Sequence, residues 1–117
     1  RRRYIPELKA DNRMIKAAGE RAAINHPVQG TAADMIKKAM VEISSVIASE
    51  AKQSCSMILQ VHDELLFECD GSISSPQVQK IARMVKDKME NALTLSVPVV
   101  VDLKAGPNWG EMELLKV

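Results

Sequence analysis

Residues 57–69 constrain the fold more than any other stretch of this chain. Met57 to Val61 and Leu65 to Cys69 are apolar runs of strand length, with only His62-Asp63-Glu64 between them. Runs this close cannot form a parallel pair, which needs a crossover of a dozen or more residues. The spacing predicts an antiparallel β-hairpin with Asp63 and Glu64 at its turn and both carboxylates exposed. Tight hairpin turns favour Asn-Gly, Asp-Gly or other residues tolerant of positive φ. Two adjacent acids are a poor local choice, because their charges repel. Such breaks of local preference concentrate at functional sites. Adjacent carboxylates on a rigid hairpin suit a hard divalent cation such as Mg²⁺, which takes oxygen ligands and keeps several waters. The plainer alternative is a solvated, slightly longer loop, and the residues alone leave both open.

Residues 1–12 read as an extended lead-in, with Pro6 breaking any early helix. Arg13 to Asn25 is rich in alanine and long unbranched side chains, a helical composition that Pro27 ends or kinks. Met35, Ile36, Ala39, Met40, Ile43, Val46 and Ile47 recur at three- and four-residue spacing and predict a second helix to about Ala51. Thr31-Ala32-Ala33-Asp34 resembles a capping box, which places the start of this helix after Gly30. Asp70-Gly71-Ser72 supplies turn chemistry. Pro76 to Leu93 predicts a third helix, and Val97 to Leu103 a strand that Pro98 confines to a sheet edge or a strand start. The expected order is α-α-β-β-α-β. That is an α+β fold: a small antiparallel sheet with a motif-bearing β-hairpin and helices packed on one face, forming a single domain over 1–117.

Composition narrows the function classes. Of 117 residues, 46% are hydrophobic, enough for the core of one compact domain. Charged residues make up 26%, which argues against a disordered tail, and no apolar run approaches the ~20 residues a membrane span needs. Two cysteines and two histidines are too few for a disulfide scaffold, a four-cysteine zinc site or a His-rich metal centre. The expected setting is a reducing cytoplasm. The start, Arg1-Arg2-Arg3-Tyr4, has neither Met nor a hydrophobic signal segment, so a processed chain or a piece of a longer protein is expected. Residues 1–38 carry nine Lys/Arg against four acids, a net charge of +5 within a chain of net charge +1. A basic front suits a polyanionic partner.

Arg21, Asn25 and Gln29 follow at four-residue spacing, which stacks them on one helical face if the helix continues through Pro27. Their donors reach acceptors on phosphates, sugars or base edges; a solvated polar face is the bland alternative. His62-Asp63 lacks the additional histidines that an HD-type phosphohydrolase needs. His26 reads as an ordinary helix residue, Cys55 and Cys69 as packing residues flanking the hairpin, and Trp109 as a cap on the core.

Gln60-Val61-His62-Asp63-Glu64-Leu65 resembles motif C of the family A DNA polymerases, the bacterial DNA polymerase I type. Glu20 to Asp34, with Arg21, Asn25, His26-Pro27 and Gln29-Gly30, resembles the helical segment that precedes that motif. Arg1-Arg2-Arg3-Tyr4-Ile5-Pro6 and Pro107-Asn108-Trp109 resemble flanking stretches, so the likeness covers nearly the whole chain. It implies the C-terminal part of a polymerase palm. Asp63 is then a catalytic metal-ligand aspartate and Glu64 a supporting carboxylate. His62 lies near the primer terminus, and Arg21, Asn25 and Gln29 contact the primer–template duplex from its minor-groove side. The implied cofactor is Mg²⁺, two ions in the complete enzyme, and the partners are primer–template DNA and deoxynucleoside triphosphates. The family's second metal-ligand aspartate and its triphosphate-gripping helix are not among these residues. The chain alone is therefore expected to be inactive, to need the upstream remainder of the polymerase, and to carry faces that favour self-association. The competing readings are a non-catalytic nucleic-acid-binding module and a plain interaction domain. Neither gives a reason for two anions beside bound phosphate.

Overall fold

The computed structural model describes residues 2–49 and 55–116. A 3₁₀ turn at Pro6–Lys9 precedes a long helix α1, Arg13–Ser49. Strands β1, Cys55–Val61, and β2, Glu64–Cys69, form an antiparallel hairpin. Helix α2, Pro76–Glu90, follows, and two short strands, β3, Lys104–Ala105, and β4, Glu113–Leu114, pair near the end. The architecture is the expected α+β combination of helices and small antiparallel sheets.

The chain divides into two compact units, Arg1–Asp34 and Met35–Val117. In the first, Asn12 caps α1: its Oδ1 accepts from the Met14 N–H at 2.9 Å and more weakly from Ile15. Free N–H groups at a helix start need such an acceptor. The buried Gly19 faces the 3₁₀ turn, where a Cβ would stand 2.9 Å from Glu7 Cβ. Only a residue without a side chain fits that approach.

α1 departs from the expected pair of helices. Pro27 lies inside one continuous helix, and Thr31, expected near a helix start, sits a turn further on. Its hydroxyl donates back to the Pro27 carbonyl at 2.8 Å. A proline removes one ladder hydrogen bond and crowds one carbonyl. In a helix of 37 residues with alanines on either side, that is a local cost the remaining turns outweigh.

In the second unit the core gathers Ala39 and Ile43 of α1 and Val85 of α2 around Ala92, with Leu65 and Phe67 of β2 packed against them. Ile43 is fully buried. Both helices thus cover the face of the hairpin that bears Leu65 and Phe67. Met35, Met84 and Met89 fill gaps at the margin of this cluster, as flexible thioethers do. α2 is amphipathic and capped by Ser75, whose hydroxyl accepts from the Val78 N–H. Gly71, at φ 110°, makes the turn before it.

The expected strand Val97–Leu103 is irregular: the ladder pairs Lys104–Ala105, and beside it the Leu103 carbonyl accepts from the Leu115 N–H at 2.8 Å. Pro98 supplies no donor. The Val101 N–H is taken by the Glu90 carboxylate at the end of α2, at 3.0 Å. Trp109 is 54% exposed and does not cap the core. Cys55 is buried as expected, but it is bonded to Cys69 in a disulfide. The two cysteines are direct partners across the hairpin, which is why one bond can join them.

Candidate functional site

The hairpin tip is a two-residue turn, His62-Asp63, closed by the pair Val61 and Glu64. The acidic pair is therefore at the tip, but the turn sits one residue earlier than the sequence suggests. Glu64 opens β2. His62 has φ 52° and is the one non-glycine residue with positive φ among those described. A two-residue loop needs positive φ at its first central position, so that its twist matches the strands. Histidine tolerates this region better than most residues do. The Gln60 side-chain amide donates to the His62 carbonyl and braces the turn. That bracing role was not visible in the motif as sequence.

The one-residue difference has its origin in β1. Cys55, Ser56 and Met57 pair with Cys69, Glu68 and Phe67, whereas Leu59, Gln60 and Val61 pair with Leu66, Leu65 and Glu64. Ile58 is left over as a bulge. The extra residue turns an odd loop count into an even one and lets the two-residue turn form.

His62, Asp63 and Glu64 are all exposed. Asp63 and Glu64 border an open groove of the second unit, shared with Val61, Ile81, Asp102 and Trp109. Among the described residues, no three His, Cys, Asp or Glu side chains are grouped to hold a metal ion. The donor set present fits a hard cation in kind, since carboxylate oxygens suit Mg²⁺, but it fills only part of a coordination sphere. The remaining ligands would be water, phosphate or a carboxylate from outside these residues.

Arg21, Asn25 and Gln29 are exposed on one face of α1, in the first unit. Because the helix runs through Pro27, the three form a row about 12 Å long at 1.5 Å per residue. The condition that the sequence left open is thus met, while the hairpin residues belong to the second unit. No described helix is long and apolar enough to cross a membrane.

The fold matches part of a polymerase domain. It is similar to the POL domain of Pol1 from M. smegmatis, solved in complex with DNA primer-template and dNTP, with a TM-score of 0.72 and 45% sequence identity. That likeness covers 84% of this chain and 16% of the other. Residues 1–111 match the DNA polymerase family A profile, and the chain belongs to that family. DNA polymerase I of Mycobacterium tuberculosis is 46% identical over 109 residues, and that of Bacillus subtilis 44% identical over 109. Each alignment covers 93% of this chain but 12% of the relative, so the chain spans about an eighth of their length.

Proposed function

We propose that this chain is the C-terminal palm portion of a DNA-directed DNA polymerase, working in template-directed nucleotidyl transfer during replication or repair in the cytoplasm. The observation that carries the reading is the exposed Asp63-Glu64 pair on a braced hairpin tip, in a chain of this family. The complete enzyme takes primer–template DNA and deoxynucleoside triphosphates as substrates, and the remainder of the polymerase chain supplies the other active-site groups.

Asp63 would hold Mg²⁺ directly and Glu64 would support it, as carboxylate oxygens suit a hard cation. Together with a second carboxylate from elsewhere in the enzyme, Asp63 would hold two Mg²⁺ ions, which when bound supply Lewis-acid stabilisation of developing negative charge. His62, exposed next to Asp63 in the turn, positions the primer end. Arg21, Asn25 and Gln29 line one helix face as donors to the duplex. Minor-groove acceptors are nearly alike for all base pairs, so donors of this kind test duplex shape without selecting a sequence.

The test is Asp63→Ala in a full-length polymerase carrying these residues, assayed by single-turnover primer extension with Mg²⁺ beside a duplex-binding titration. Extension is expected to fall by several orders of magnitude while duplex binding persists. Glu64→Ala is expected to lose less, and His62→Ala to change handling of the primer end more than metal dependence. Near-normal turnover in Asp63→Ala removes Asp63 from the metal site and with it the proposed mechanism.

A further inference from the structure

The hairpin holds two registers at once. Continuing the pairing of the tip without interruption would set Cys55 opposite Asp70 and Ser56 opposite Cys69. Instead Cys55 stands opposite Cys69, and the one-residue offset is absorbed at Ile58. The Cys55–Cys69 disulfide joins residues that face each other in the base register and would not do so if the tip register ran on to the base. The bulge at Ile58 reconciles a base register that allows the bond with a tip register that allows the two-residue turn.

We propose that Cys55 and Cys69 form a reversible thiol–disulfide pair that fixes the register of this hairpin. Oxidised, the bond holds the bulge at Ile58 and ties off the base of the strands. Reduced, the base is free to slip by one residue into the tip register. A slip of one residue moves side chains to the opposite face of a strand. Bulges also increase local twist and re-aim neighbouring side chains, so the two forms present the His62-Asp63 tip differently. The consequence for catalysis rests on the polymerase reading, but the exchange chemistry and the register do not.

The oxidant class is a low-molecular-weight disulfide such as oxidised glutathione. Cys69 is partly exposed and Cys55 is 3% exposed, so Cys69 reacts first. Its thiolate attacks one sulfur of the small disulfide, forms a mixed disulfide and releases one small thiol. The Cys55 thiolate then attacks Cys69 Sγ and releases the second. Two protein thiols are oxidised by two electrons, one disulfide is reduced, and the two protons leave on the released thiols. Glu68 and Asp70 flank Cys69, and their charge slows thiolate attack. The pair thus responds to sustained oxidation rather than to brief pulses.

The experiment equilibrates the 117-residue chain in graded mixtures of reduced and oxidised glutathione, quenches by alkylation and weighs the products. Full, reversible interconversion of dithiol and internal disulfide is expected. Cys55→Ala is expected to trap glutathione on Cys69, and the same readout on Cys69→Ala is expected to show little uptake at Cys55. Hydrogen exchange on wild-type chain then compares the two forms, and amides of residues 56–68 are expected to exchange about tenfold more slowly when oxidised. Accumulation of doubly glutathionylated chain without the internal bond overturns the proposal. So does equal exchange across the hairpin in the two forms. Both readouts on wild type remain decisive if a cysteine variant fails to fold, and neither depends on polymerase activity.

Discussion

His62 occupies a backbone conformation that an L-residue holds at a cost of about 1–2 kcal/mol, because its Cβ crowds the following carbonyl. His62→Gly is therefore expected to stabilise the second unit by about 1 kcal/mol, read as a rise in the urea midpoint. His62→Val, with a β-branched side chain in the same region, is expected to lower that midpoint. The residue-level reading from sequence placed the acidic pair at an exposed hairpin tip but missed the register of the turn. The run Gln60 to Glu68 identified the acidic hairpin, yet its alternation gave no sign of a bulge at Ile58, since Met57, Ile58 and Leu59 are all apolar. The turn consequently shifted from Asp63-Glu64 to His62-Asp63. Cys55 and Cys69 flank the hairpin evenly in sequence, but whether they meet depends on that same bulge.

At the scale of elements, α1 shows how length overrides a local breaker. Pro27 costs roughly 3 kcal/mol relative to alanine in a helix interior, offset in part because proline also restricts the unfolded chain. Pro27→Ala is expected to stabilise α1 by roughly 2 kcal/mol, measured as slower amide exchange through residues 20–34. The two glycines of this helix should respond in opposite directions. Gly30 has nothing within 4 Å of a prospective Cβ, so Gly30→Ala is expected to raise the thermal midpoint through helix propensity, by about 1 kcal/mol. Gly19→Ala brings a methyl to 2.9 Å from Glu7 Cβ and 3.0 Å from the Leu8 nitrogen, and is expected to lower it. Sequence periodicity made the helical character of both halves of α1 legible, and also all of α2. It could not show whether Pro27 divides or merely interrupts, because that depends on the balance of the whole element. The 97–103 segment failed as a strand for a long-range reason: the Val101 N–H bonds Glu90, eleven residues away in sequence.

At the scale of the molecule, charge and exposed apolar surface set what the chain is expected to do alone. Ile58, Val97, Val100, Trp109 and Leu114 are exposed apolar side chains in the second unit. Apolar side chains of this kind, where they adjoin, mark surfaces for contact with another protein segment. With nine basic residues against four acids in residues 1–38, the isolated chain is expected to bind duplex weakly and with a steep dependence on salt. Each phosphate contact contributes a slope of about −0.9 in log affinity against log salt, because bound counterions are released. If Arg21 meets a phosphate, Arg21→Ala is expected to reduce the slope by about one and to weaken binding equally on unrelated sequences. Asp63→Ala moves the other way. Removing an exposed anion lowers repulsion towards the polyanion, so duplex binding is expected to hold or tighten, most clearly at low salt where screening is weak. Neither form of the isolated chain is expected to extend a primer, because two carboxylates on one tip cannot organise both Mg²⁺ ions. Fluorescence anisotropy over a salt series, run beside an extension assay, measures both. Binding that weakens in Asp63→Ala would mean that Asp63 recruits DNA rather than metal, and extension by the isolated chain would mean that the described residues suffice for an active site.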